Sequence, residues 1–132
     1  MFSHVFIGVT DFGRAFAFYN AVLAEVGLSL RFKEAEYEWA GWQLPEGGRP
    51  LFVIGKPYDR RPHNPGNGQM VAFQASSQEA VRRVYATAMA QGATCEGPPG
   101  LRVQYHPNYY GAYFRDTEGN KVCVACHAAE TS

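Results

Sequence analysis

The chain has 132 residues, of which 46% are hydrophobic and 14% aromatic, and its 12 basic residues balance its 12 acidic residues. This length and composition predict one domain, residues 1–132, that buries roughly two thirds of its unfolded surface. The sequence has neither a basic cluster interleaved with aromatic residues nor an apolar run near the roughly 18 residues of a membrane span, so we expect neither nucleic acid nor a membrane as a partner.

The first 27 residues predict a strand followed by a helix. Residues 2–9 alternate, which predicts a strand with two distinguishable faces, one of them covered by a helix. The opposite, uncovered face carries His4, Phe6 and Gly8. Thr10 or Asp11 is a suitable N-cap, and apolar residues then recur at three- and four-residue steps until Gly27 ends the pattern.

Residues 28–56 predict three further strands, so the first module has the order βαβββ. We expect these strands at about 28–34, 36–44 and 51–56. Residues 57–68 contain three prolines and two glycines, a composition that cannot continue a helix or a central strand. We therefore assign module one to about residues 1–57 and a linker to about 57–68.

The second half of the chain repeats the order of the first at an offset of 66 residues. His4–Thr10 aligns with Met70–Ser76, and Tyr19 falls on Tyr85. Module two, about residues 69–128, is expected to contain a strand at 69–75, a helix from Ser76 or Ser77 to Gln91, and strands near 101–105, 109–115 and 121–127, with turns at 97–100 and 116–120. The repeat places His4 and Met70 at equivalent strand positions.

Cysteine and histidine residues near the end of the chain match two metal-binding patterns. The geometry of a strand excludes both. Cys123, Cys126 and His127 formally match a haem-attachment pattern and half of a zinc site. Residues three apart on a strand point to opposite faces, so the two sulfurs cannot hold one metal ion. We expect Cys126 in the core and Cys123 on the open face, where a cationic neighbour, His4 or Lys121, would be needed to make it reactive. His63, in the linker, is expected to be structural or solvated.

Residues 105–113 place four tyrosines and His106 around a Pro-Asn turn. Such a cluster can close a pocket over an apolar ligand while offering hydroxyl and imidazole hydrogen bonds. Aromatic packing of a hairpin onto its sheet would explain it equally well.

Paired modules that begin with HVFIGVTDFGRAFAFY and end with YYGAYFRDTEGNKV resemble the vicinal oxygen chelate superfamily, which contains glyoxalases, bleomycin resistance proteins and ring-cleaving dioxygenases. The segments GNGQMVAFQASS and YHPNYYGAYFRDTEGNKVCVACH are similar to bacterial lactoylglutathione-lyase-like proteins. The resemblance implies an α+β fold in which two βαβββ modules form a paired, cup-shaped mixed sheet with helices on the convex side. It also implies a divalent metal held by the first and last strands of each module.

The metal-ligand positions that the resemblance implies are altered in this chain. His4 matches the first of them. Met70 stands where histidine is usual, Cys123 where glutamate is usual, and the remaining position, often glutamate or glutamine, falls near Ile54 or Gly55. Catalytic metals need about three protein ligands, and hard divalent ions prefer oxygen or imidazole to thioether. We therefore predict no cofactor, and a divalent metal only if an altered site is retained.

Three functional interpretations remain open. The first is a metal-independent member that binds a small, partly apolar molecule, for sequestration or resistance, in a cup lined by His4, Phe6, Trp42, Met70, His106, Tyr109, Tyr110 and Cys123. The second is a glyoxalase-type lyase or isomerase with a soft or absent metal site, for which the catalytic candidates are His4, His106 and Tyr110. The third is a degenerate cup filled by its own side chains.

Two further expectations concern assembly and location. Because superfamily cups are often completed across two chains, and because much sheet edge and aromatic surface needs cover, we expect a homodimer. The sequence enters its first strand without a basic leader and has three cysteines, an odd number that suits a reducing compartment. These features favour a cytoplasmic location.

Overall fold

The computed structural model describes residues 1–130, so the last two residues of the predicted domain lie outside it. Its elements, in chain order, are β1 (His4–Gly8), α1 (Phe12–Val26), β2 (Ser29–Glu34), β3 (Trp39–Gln43), β4 (Leu51–Gly55), β5 (Val71–Gln74), α2 (Gln78–Ala90), β6 (Thr94–Leu101), β7 (Tyr110–Arg115) and β8 (Lys121–Cys126). The predicted α+β fold of two βαβββ modules is confirmed. No helix within residues 1–130 is long and apolar enough to cross a membrane.

Each module forms its own four-stranded mixed sheet. The strand orders are β1-β4-β3-β2 and β5-β8-β7-β6. In both sheets the first strand of the module lies parallel to the last, with His4 beside Leu51 and Val71 beside Val122, and the other pairings are antiparallel. Within the described chain, β1 and β5 each pair along one side only, so both sheets have an edge that could accept another strand.

Local capping residues set the ends of both helices. The Asp11 side chain accepts a hydrogen bond from the Arg14 N–H at the start of α1, and the Ser77 hydroxyl accepts one from the Ala80 N–H at the start of α2. Gly27 ends α1 with a φ of 100°, a left-handed conformation that favours glycine. The predicted helix boundaries are therefore confirmed.

The helix-covered faces of the two sheets meet in a single apolar core. Phe52 of β4 packs edge-on against Phe73 of β5 with ring centroids 5.0 Å apart, and Phe18 of α1 lies 6.3 Å from Phe114 of β7. Trp42 is also on this side and stacks on Phe16 at 5.7 Å. Because both sheets turn one face to this shared core, each has its second face left open, which is where a binding site can form.

A polar network joins the turn between β7 and β8 to the first module. The Glu118 carboxylate accepts hydrogen bonds from the Thr10 and Asp11 N–H groups at 2.7 and 2.8 Å, and so stabilises the N-terminus of α1. Asn120 donates through its side-chain amide to the Gly8 carbonyl at 3.2 Å. His63 of the linker donates to the Asn120 side-chain oxygen at 2.7 Å, so His63 is structural, one of the two roles expected for it.

Two strand predictions were wrong, both at irregular segments. β6 covers Thr94–Leu101 rather than 101–105, so the Gly-Pro-Pro-Gly segment predicted as a turn lies inside a strand. β6 is an edge strand with register shifts on either side of Gly97, and edge strands and bulges are where a sheet tolerates proline. β3 begins at Trp39 rather than near residue 36, because a turn precedes it in which Glu38 has a φ of 54°.

Candidate functional site

A cavity of about 660 Å³ opens on the uncovered face of the first sheet. We call it the aromatic cavity. It is lined by Phe6, Glu34, Tyr37, Trp39, Lys56, Pro57, Tyr58 and Arg60. Strand alternation brings Phe6, Trp39 and Glu34 to the open face of β1, β3 and the end of β2. Sequence analysis had singled out Phe6 alone among these residues.

Gly55, at the end of β4, allows two rings of the aromatic cavity to close over the sheet. A Cβ atom added at this glycine would lie 3.0 Å from the Trp39 Cβ and 3.1 Å from the Phe6 ring. A larger residue at position 55 would therefore have to displace one of them. Because position 55 is glycine, the side chains of Phe6 and Trp39 form a continuous apolar surface, the aromatic floor, across β1, β4 and β3.

Charged groups stand around the aromatic floor rather than within it. The Trp39 indole N–H donates to the Glu34 carboxylate at 2.9 Å, and Phe32 packs edge-on against Trp39 with centroids 4.9 Å apart. Lys56 and Arg60 both approach one oxygen of the Glu38 carboxylate, at 3.5 and 4.0 Å. An apolar, aromatic cavity with a few placed polar groups is the usual form of a small-molecule site.

A second cavity, of about 670 Å³, lies between the first module and strand β5 of the second module. Its lining includes Phe2, Val5, Leu51, Phe52, Met70, Val71 and Phe73. Trp42 contributes to its inner wall but is almost completely buried in the shared core. Met70 and Trp42 are therefore separated from Phe6, with which sequence analysis had grouped them.

His4 occupies the predicted open face of β1, where it is solvent-exposed. Its Nδ1 lies 3.0 Å from the Ser3 hydroxyl. His4 lines neither of the two cavities described above.

The open face of the second sheet carries a cluster of two tyrosines and a cysteine. The Tyr109 hydroxyl lies 2.9 Å from the Tyr113 hydroxyl and 3.5 Å from the Cys123 sulfur. Desolvation raises the pKa of the Cys123 thiol, and desolvation with the hydrogen bond to Cys123 raises the pKa of Tyr109. All of these groups are therefore protonated at neutral pH and suited to donating hydrogen bonds.

His106 and His127 form a hydrogen-bonded imidazole pair beside this cluster. The Asn108 N–H donates to His106 Nδ1 at 3.1 Å, which assigns the ring hydrogen of His106 to Nε2. That Nε2 lies 2.9 Å from His127 Nδ1 and donates to it. Both nitrogens of His106 are thus engaged, so in this arrangement the ring offers no free nitrogen to a substrate proton or a metal ion.

Tyr110 points to the other side of β7 from Tyr109. Its ring packs against the shared core, and its hydroxyl accepts a hydrogen bond from Arg82 at 3.2 Å. The structure thus brings together His106, Tyr109 and Cys123 on one open face, and leaves Tyr110, Phe6 and Met70 in three other places.

Comparison with known proteins identifies the family. The family model described as Glyoxalase/Bleomycin resistance protein/Dioxygenase superfamily matches residues 1–124. The chain belongs to the glyoxalase/bleomycin resistance protein/dioxygenase superfamily. A comparison with curated proteins found no match.

Solved structures of this superfamily share the fold over almost the whole chain. A glyoxalase/bleomycin resistance protein from Albidiferax ferrireducens T118 is 35% identical, with a TM-score of 0.82, and the match covers 97% of this chain and 99% of that one. A family enzyme from Burkholderia phytofirmans PsJN is 20% identical (TM-score 0.70, 96% and 98% covered), and a lactoylglutathione lyase from Agrobacterium tumefaciens is 22% identical (TM-score 0.64, 96% and 92% covered). The latter two similarities concern the fold alone.

The residues at the metal-ligand positions that the sequence resemblance implies do not fit a hard divalent ion. At the position that falls near Ile54 or Gly55, Ile54 is an apolar side chain buried in the core, and at Gly55 the space for a ligand side chain is taken by Phe6 and Trp39. Cys123 is fully buried as a thiol beneath Tyr109, and Met70 offers only a thioether. Within residues 1–130, no three His, Cys, Asp or Glu side chains are grouped closely enough to hold a metal ion.

The environment of each cysteine predicts its reactivity. Cys95 is exposed, whereas Cys123 and Cys126 are buried, and burial raises the pKa of Cys123. We expect one thiol per chain to react rapidly with Ellman's reagent at neutral pH in the folded protein, and all three after denaturation. A Cys95→Ala variant that still releases a rapid equivalent would contradict this assignment.

Proposed function

We propose that this superfamily member binds a small, partly apolar molecule in the aromatic cavity without a metal ion, in a sequestering or resistance role. The observation that carries the proposal is the convergence of Phe6, Tyr37, Trp39 and Tyr58 around about 660 Å³ of open space. Aromatic faces favour flat apolar molecules, which bury both of their surfaces by stacking. The similarity to a protein described as a glyoxalase/bleomycin resistance protein supports a ligand-binding role.

A neutral bicyclic aromatic probe tests the proposal directly. Naphthalenemethanol has a flat ring system and one hydroxyl group, and we expect one molecule to bind per chain with a Kd at or below about 1 mM, given ordinary ligand efficiencies. Ligand-observed NMR titration measures such affinities. Absence of saturable binding by this probe and by other flat aromatic molecules would reject the proposal.

We expect the purified protein to retain no stoichiometric nickel, zinc, manganese or iron. His4 and Cys123 supply a soft and incomplete set of ligands even if a second chain brings them together, because neither Met70 nor Gly55 offers a hard donor. Elemental analysis after dialysis measures the ratio. A ratio near one metal ion per chain would instead favour the alternative function, a glyoxalase-type lyase or isomerase.

We also propose that the protein is a homodimer. Both β1 and β5 have an unpaired edge, and the accessible surface of 7576 Å² exceeds the roughly 6,900 Å² expected for a folded monomer of this mass. Exposed apolar side chains also lie outside the aromatic cavity, among them Leu30, Leu101 and Val103. Sedimentation equilibrium at micromolar concentration should give twice the chain mass, and a monomer would refute the assignment.

A further inference from the structure

The charges around the aromatic cavity are distributed unevenly. Lys56 and Arg60, which both line the cavity, share a single carboxylate, that of Glu38. These three groups together carry one net positive charge. Glu34 lies at the other end, on β2, which is two strands away from β4 and hence roughly 10 Å away across the sheet.

The two cations are held loosely enough to take another partner. Their nitrogens lie 3.5 and 4.0 Å from the Glu38 oxygen, beyond the usual hydrogen-bond range of about 2.7–3.2 Å. Arg60 also approaches the Tyr37 carbonyl, at 3.5 Å. Glu34, in contrast, accepts a well-formed hydrogen bond from the Trp39 indole at 2.9 Å. The cavity therefore has more free hydrogen-bond donors for an anionic ligand than free acceptors for a cationic one.

We propose that the ligand of the aromatic cavity is a flat aromatic anion, such as an aromatic carboxylate. Its ring lies against Phe6 and Trp39, and its negative group meets Lys56 and Arg60 at the end of the cavity nearest β4. The proposal rests on the proposed function, since it names the chemical class of molecule that the same cavity takes. Burial of the ring supplies most of the affinity, and the two cations supply the selectivity.

Three probes of one shape and different charge test this inference. They are naphthoate, naphthalenemethanol and naphthylmethylammonium. At low ionic strength we expect naphthoate to bind about fivefold more tightly than the alcohol and the ammonium compound to bind most weakly, since each half-exposed ion pair contributes modestly. The advantage of naphthoate should shrink at high salt, because salt screens exposed charges.

Variants that remove the positive charges test whether Lys56 and Arg60 cause the preference for naphthoate. In the double variant Lys56→Met with Arg60→Met, the affinity for naphthoate divided by that for the alcohol should fall to one or below, because the carboxylates of Glu34 and Glu38 remain. Arg61→Met is the matched control, because Arg61 is a neighbouring, largely exposed arginine that pairs with Asp59 and does not line the cavity. The control should keep the full ratio.

The outcomes separate the two proposals. If the alcohol binds but naphthoate binds no better, if the ammonium compound binds best, or if Arg61→Met lowers the ratio as much as the double variant does, the inference about the anion is overturned and the proposed function stands. If none of the three probes binds, both are overturned.

Discussion

Replacing Asp116 by alanine is expected to lower the free energy of unfolding by about 3–5 kcal/mol, a large part of the stability of a domain of this size. Asp116 is 5% exposed and accepts four hydrogen bonds. One carboxylate oxygen accepts from the N–H groups of Glu118 and Asn120, and the other accepts from the Tyr19 hydroxyl and the Asn120 side chain. The alanine variant leaves these donors without their partner, and loosens the turn that holds the first module.

Chemical denaturation of the parent and the variant measures this effect. Asp59→Ala is the matched control, because Asp59 is exposed and its contact with Arg61 is long, at 4.0 Å. We expect the control to change the unfolding free energy by less than about 0.5 kcal/mol. Equal losses in the two variants would show that the network around Asp116 does not stabilise the contact between modules.

Replacing Trp39 or Phe6 by alanine is expected to weaken the binding of naphthalenemethanol by about 30-fold or more. Each change removes one of the aromatic faces that the ligand would cover, which corresponds to roughly 2–3 kcal/mol of apolar burial and ring stacking. Trp39 and Phe6 are 39% and 46% exposed, so the fold should tolerate both changes. Thermal unfolding of the variants checks that they remain folded.

Phe2→Ala is the matched control for Phe6→Ala. Phe2 is also an exposed phenylalanine near the start of the chain, but it lines the second cavity, between the first module and β5. We expect its replacement to leave the affinity within about twofold, as for a residue outside the contact surface. The opposite pattern, with binding lost in Phe2→Ala and kept in Phe6→Ala, would place the ligand between the modules.

Features set by local sequence were predictable, whereas those set by distant packing were not. The helices follow from their capping residues, Asp11 and Ser77, and the faces of β8 follow from alternation, which placed Cys126 in the core and Cys123 on the open face. β6 escaped prediction because its prolines fit only an edge strand with bulges. Whether a strand lies at an edge depends on the whole sheet.

Only part of the aromatic cavity could be predicted from the sequence. Trp39 and Trp42 are three residues apart on a strand, so alternation could have separated them, as it separated the two cysteines. Tyr37, Lys56 and Tyr58 come from a turn and from the start of the linker, and their approach to Phe6 depends on strand pairing between distant parts of the chain. No local sequence pattern indicates that these residues lie close to Phe6.

The most direct test of the account is a map of where a flat aromatic ligand binds. Isotope-labelled protein titrated with naphthalenemethanol should show chemical-shift changes at the amides of Tyr37, Lys56 and Tyr58 and at the indole N–H of Trp39, identified by its loss in Trp39→Phe. Changes confined to Met70–Gln74, which border the second cavity, or to the Tyr109 cluster would contradict the assignment of the aromatic cavity as the binding site.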